Sequence, residues 1–137
     1  MILVDTSVWI DFLIGAESIH RAELHRLIEA EEDLCLADIV LCEILSGIRG
    51  DREFGKLRDR LFEFPIYSLS DTESYVAAAE LYRRCRKKGV TLRGITDCLI
   101  SCIAIENGLL LFHKDEDFDR IARIEKDLKI LDVVSLS

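Results

Sequence analysis

Residues 2–7 read Ile2-Leu3-Val4-Asp5-Thr6-Ser7, and an apolar-rich segment from Val8 to Ile14 follows, closed by Gly15. Three consecutive aliphatic residues without polar alternation fit a strand buried on both faces, the habit of parallel sheets. Asp-Thr-Ser is a turn rich in side-chain oxygens that can cap a following helix. The start of the chain therefore predicts strand, turn and helix.

The same alternation continues outward. Leu24, Leu27 and Ile28 give residues 19–31 a helical spacing, and 34–36 form a second short strand candidate. Residues 39–48 and 54–61 are helical in pattern with Gly47 and Gly50 between them, and 64–67 is a third strand with Pro65 at its start or on an edge. Ser70-x-x-Glu73 has the form of a capping box ahead of a long helix to Lys88, which Gly89 ends. Residues 95–107 are a strongly apolar helix stopped by Asn107-Gly108; 109–112 is a strand, 118–128 a helix and 130–134 a last strand. Strands alternating with helices predict an α/β fold, a parallel sheet covered by helices. With 137 residues and no repeat, low-complexity tract or linker, one domain over residues 1–137 is expected.

Half of the residues are hydrophobic and only one is proline, which excludes a disordered chain. The longest uncharged apolar stretch, Cys98 to Ile105, is far short of the roughly 20 residues that span a bilayer. The apolar run Met1 to Val4 is too short for a secretory leader. Cys35, Cys42, Cys85, Cys98 and Cys102 include no C-x-x-C pair and no histidine at metal-ligand spacing, so they read as reduced and mostly buried. A soluble cytoplasmic protein without a membrane partner is the expectation. The net charge of −8 argues against a broadly basic surface for nucleic acid. Against it stand Arg83, Arg84, Arg86, Lys87, Lys88 and Arg93, a run free of acids. The first five suit a solvated helix face and C-terminal turn. Arg93, close before Asp97, is the candidate contact for a phosphate.

Several acids sit where solvation alone does not explain them. Asp5 directly follows a strand, where open α/β sheets bind ligands, although it also suits a helix cap. Glu43 lies about 60° outside the apolar arc of its helix, bordering the core. Asp97 begins a helix that is apolar almost all round, and a carboxylate there needs a partner or a proton. Asp115 and Asp117 lie just past a strand end; their neighbours Glu116 and Asp119 read as a solvated turn. Oxygen ligands without a Cys/His set select a hard cation, Mg²⁺ or Mn²⁺, which commonly also engages substrate phosphates. Phosphoryl chemistry is implied, with a metal-activated water in place of a protein nucleophile. His20, His25 and His113 form no triad with any serine.

The strand followed by Asp5-Thr6-Ser7-x-Trp9-Ile10, the helical Glu43, Asp97 at the start of an apolar helix and the strand followed by x-x-Asp115-x-Asp117-Phe118 resemble, in that order, the PIN-domain nucleases, and most of all their VapC toxin branch. The resemblance covers essentially the whole chain, and no acid of the set is missing. It implies a three-layer α/β/α fold with a short, mainly parallel central sheet. It further implies a metal-dependent endoribonuclease in which Asp5, Glu43, Asp97 and Asp115 hold Mg²⁺ or Mn²⁺, with Asp117 as a less constant ligand and Thr6 orienting the acids or their water. An RNA substrate, a homodimer and a cognate antitoxin with a basic side chain in the acidic groove are implied in the same way. Two other readings compete: an aspartyl-phosphate domain with Asp5 as acceptor and Lys114 as its lysine, and a non-catalytic binding module whose acids are caps and surface groups.

Overall fold

The computed structural model describes residues 1–133. Within them the chain forms strands β1 (Ile2–Val4), β2 (Leu34–Ala37), β3 (Ile66–Tyr67), β4 (Leu110–Phe112) and β5 (Lys129–Ile130). The helices are α1 (Thr6–Ile14), α2 (Ile19–Glu29), α3 (Asp38–Ser46), α4 (Asp51–Leu61), α5 (Thr72–Lys87), α6 (Thr96–Glu106) and α7 (Glu116–Ile124). The strands join in one sheet in the order β3-β2-β1-β4-β5, and every pairing is parallel. This is the α/β/α arrangement expected from the alternation of elements.

The strand order fixes where a site can lie. From β1 the chain steps outward to β2 and β3, then returns past β1 to β4 and steps the other way to β5. Right-handed crossovers running in opposite directions place α1–α4 on one face and α5–α7 on the other. The direction reverses between β1 and β4, and such a switch point opens a crevice at the carboxyl ends of the two strands. Val4 pairs with Phe112 at that end, and the Asp5 N–H donates to the Phe112 carbonyl at 2.9 Å. The turns carrying Asp5 and Asp115 are therefore neighbours.

Burial drives the assembly. Leu3, Val4, Leu36, Leu111 and Phe112 in the sheet, Val8 in α1, Ile103 in α6 and Phe118 and Ile121 in α7 are essentially fully buried. Each large side chain of this kind contributes about 1.5–3 kcal/mol through removal from water. Cys35, Cys85, Cys98 and Cys102 are buried as expected; Cys42 is exposed, on the outer face of α3.

Several boundaries differ from expectation: α4 begins at Asp51 rather than 54, β3 at Ile66 rather than 64, and three further differences have a local cause. The helix predicted over 118–128 starts two residues earlier and ends at Ile124, because Glu125 turns to an extended backbone and pairs with Arg84 across from α5. The last strand is shorter than predicted, Lys129–Ile130, and its predicted end at Val134 lies outside the described residues. The capping box at Ser70 does not form. Asp71 caps α5 instead, its Oδ1 accepting from the Ser74 N–H at 3.1 Å, while the Ser70 N–H donates to Glu106. A carboxylate at the positive end of a helix is favoured over a hydroxyl by both charge and dipole. Asp71→Ala should then lower the unfolding free energy by about 1 kcal/mol in chemical denaturation, whereas Glu73→Ala should change it by less than about 0.5 kcal/mol.

Candidate metal centre

Of the residues singled out from sequence, Asp5, Thr6, Glu43, Arg93, Asp97 and Asp115 line one open pocket of about 480 Å³, and Asp117 lines the pocket beside it. Asp5 leaves β1 and caps α1, so its two possible roles are the same role. Its Oδ2 accepts from the Ser7 N–H at 3.0 Å and from the Ser7 hydroxyl at 2.6 Å, and the residue is buried. Burial raises the Asp5 pKa, and the Ser7 hydrogen bonds oppose that.

Glu43 reaches the pocket from α3, where the Thr6 hydroxyl donates to its Oε1 at 2.8 Å. Desolvation raises the Glu43 pKa, the Thr6 hydrogen bond lowers it, and the negative charge of Asp5 adds to the rise. Although the residue as a whole is exposed, its carboxyl end is turned toward the acids. Thr6 thus joins β1's turn to α3.

Asp97 enters in the first turn of α6, and Asp115 caps α7 by accepting from the Asp117 N–H at 3.0 Å. One carboxylate oxygen each from Asp97, Asp115 and Asp117 lie within 4.8 Å of one another. Burial raises Asp97's pKa to about 7, with the charges of Asp115, Asp5 and Asp117 adding to the effect and Arg93 opposing it. Asp117 is buried; Arg120 donates to its Oδ1 at 2.7 Å, but its Oδ2 has no hydrogen-bond partner. Arg93, the candidate phosphate contact, pairs with Asp115 and stands 3.6 Å from Asp117.

These observations fit a divalent cation. Three carboxylates close to one another, one with a buried oxygen lacking a hydrogen-bond donor and one whose pKa is raised by burial and by its acidic neighbours, form a hard donor set short of positive charge. Asp5 and Glu43 line the same pocket as Asp97 and Asp115. Among the described residues no histidine or cysteine joins the cluster, so its donors are carboxylate oxygens alone, as a hard cation requires.

Two positioning residues were not visible in sequence. The Ser7 hydroxyl donates to Asp5 while accepting from the Lys114 N–H at 3.0 Å, tying the turn after β1 to the turn after β4. His113 is buried and its Nδ1 accepts from the Asp115 N–H at 3.0 Å, leaving Nε2 to face Asp119 at 3.2 Å. Adjacency of the two turns is a tertiary fact, and no local pattern announces it. The Lys114 ammonium lies 2.6 Å from Asp11, so it is engaged away from Asp5, against the aspartyl-phosphate reading.

Asp97 holds its proton more tightly folded than unfolded, between its ordinary value of 3.8 and about 7. Within that window the folded state binds more protons, so rising pH lowers stability through this group. In chelator-treated protein, Asp97→Asn should match the unchanged chain in stability near pH 4 and exceed it increasingly up to pH 8. Thermal unfolding across that range checks this; a constant difference would contradict the assigned burial of charge.

The PIN domain family matches residues 2–124. A VapC ribonuclease of Mycobacterium bovis and ribonuclease VapC11 of Mycobacterium tuberculosis are each 38% identical over 125 residues, spanning 90% of this chain and 93% of the relative. Among solved structures, VapBC2 from Rickettsia felis bound to a promoter DNA fragment superposes with a TM-score of 0.72 at 21% identity, over 96% of this chain and 98% of that one. VapBC-1 from nontypeable Haemophilus influenzae gives 0.72 at 20% identity with the same coverage. The fold, the ordered acids and the extent of the match place this chain in the PIN domain family.

Proposed function

We propose that the chain is a Mg²⁺- or Mn²⁺-dependent endoribonuclease, the toxin of a toxin–antitoxin pair, with Asp5, Glu43, Asp97 and Asp115 as its catalytic acids and Asp117 as a further ligand. The carrying observation is the three-carboxylate cluster of Asp97, Asp115 and Asp117, two of whose members line one pocket with Asp5 and Glu43. The ribonuclease names of relatives 38% identical over most of the chain support the reaction class.

When bound, the divalent ion supplies an acidified water and offsets charge gathering on the phosphoryl and leaving oxygens. The chain's own groups do the rest. Asp97, Asp115 and Asp117 would hold the cation, and Asp5 and Glu43 would add their negative charge to the same site. Thr6 fixes the Glu43 carboxylate, and Ser7 fixes that of Asp5, so neither must reorganise during the reaction. Arg93, mostly exposed at the pocket rim, is placed to meet an incoming phosphate.

A protein partner belongs to the same proposal. An apolar groove of about 570 Å³ runs between α1 and α4, lined by Trp9, Phe12, Leu13, Leu57 and Phe64 among others. Trp9 packs edge-on to Phe12 and Phe64, and its indole N–H is buried without an acceptor. The structural neighbours are named as VapBC complexes, which supports an antitoxin as the occupant. A homodimer, a cytoplasmic location and one nuclease domain over 1–137 complete the proposal. Among the described residues no helix is long and apolar enough to cross a membrane.

Purified chain with Mn²⁺ should cut a labelled single-stranded RNA internally, lose this activity in excess EDTA and regain it on adding Mn²⁺. Asp97→Asn, purified identically, should retain its fold and lose at least about a hundredfold in rate, the scale of one preorganised electrostatic contact. Equal turnover by this variant would overturn the assignment.

A further inference from the structure

A second open pocket of about 510 Å³ adjoins the first and shares Ser7, Arg93 and Asp115 with it. Its own lining is Thr91, Lys114, Glu116, Asp117 and Arg120, from the α5–α6 connection, the turn after β4 and α7. Each cation there already has an anionic partner. Lys114 is held by Asp11, whose carboxylate also accepts from the Ser18 hydroxyl, so its charge is fully engaged. The two arginines differ, because their partners are acids of the metal cluster. Arg93 pairs with Asp115 and Asp117; Arg120 pairs with Asp117 at 2.7 Å and with Glu116 at 3.2 Å.

A carboxylate cannot give its charge fully to two cations. A divalent ion on Asp115 and Asp117 withdraws negative charge from both guanidiniums, which then stand partly unpaired beside an open groove. Guanidinium forks with free N–H groups bind phosphate oxygens bidentately. Before the ion arrives the acids and bases of this groove nearly cancel, and the overall charge of −8 repels polyanions. After it arrives the groove is positive next to the site of chemistry.

Resting on the ribonuclease reading above, we propose that Arg93 and Arg120 form a metal-conditional clamp for the RNA phosphate flanking the scissile one. Thr91 offers its hydroxyl from the same wall. Metal and RNA binding are then linked: each strengthens the other by the same factor, and the arginines carry that linkage.

The test uses the full chain and a fluorescein-labelled, fully 2′-O-methylated single-stranded RNA that resists cleavage, titrated by anisotropy with and without Mn²⁺ over a range of salt. Arg120→Gln should reduce the Mn²⁺-dependent gain in affinity severalfold and lower the salt slope by about 0.7, the value of one lost single-strand phosphate contact. Arg120→Lys, which keeps the charge, should restore the slope. By calorimetry without RNA, Arg120→Gln and Arg93→Gln should bind Mn²⁺ more tightly than the unchanged chain, because a competing cation is gone. An unchanged slope and Mn²⁺ gain in Arg120→Gln, with the unchanged chain still cutting RNA, would overturn the clamp alone. Absence of Mn²⁺-dependent RNA binding and cleavage in the unchanged chain would instead overturn the ribonuclease reading.

Discussion

Mutual repulsion among carboxylates that the backbone forces together is the constraint on which this structure turns. Pairing of Val4 with Phe112 brings the turn after β1 against the turn after β4, and α6 delivers Asp97 into the same crevice. Three acidic oxygens then lie within 4.8 Å of one another, with Asp5 near enough to raise the pKa of Asp97. Like charges at such separations are strongly unfavourable in a partly desolvated site. The fold pays for this assembly elsewhere, in the buried apolar strands beneath it.

Several devices keep the acids in place without neutralising them. Asp5 and Asp115 are each held by the N–H two residues on, at helix N-termini where negative charge is favoured. Hydroxyls rather than cations orient the inner wall: Ser7 holds Asp5, and Thr6 holds Glu43. Cations are confined to the outer side, where Arg93 and Arg120 cover Asp115 and Asp117. The result is a pocket closed below by hydrogen-bond donors, flanked by arginines and open above. Such a layout suits a divalent cation and a phosphodiester better than it suits an organic anion, which would meet the carboxylates unshielded.

Much of this was legible in the sequence because the local signals and the tertiary result agree. The run Ile2-Leu3-Val4 and the segment Leu109 to Phe112 lack alternation, as strands in the middle of a parallel sheet do, and both are central. Asp97 stands out because a carboxylate on an apolar helix needs a partner or a proton, even though a first-turn acid also suits the helix dipole, and its raised pKa reflects that burial. What could not be read were relations between turns distant in sequence. Ser7 spans 107 residues to reach Lys114, and Arg120 was invisible because an arginine three residues after an aspartate is ordinary on any helix. The α5 cap differs from expectation because Ser70 and Asp71 are adjacent candidates, and it is the Asp71 carboxylate that accepts from the Ser74 N–H.

The excess of acid over base first argues against a nucleic-acid partner, yet its distribution carries the opposite meaning. Acids concentrated at the switch point create a demand for cations, and a bound cation inverts the local field. The central claim is thus that this cluster holds a divalent ion. Crystals grown from chelator-treated protein and then soaked in Mn²⁺ offer the most direct check, through anomalous scattering at a wavelength where manganese contributes. A peak bounded by Asp97, Asp115 and Asp117 is predicted; manganese confined to other surface carboxylates, with the cluster empty at saturating concentration, would contradict it.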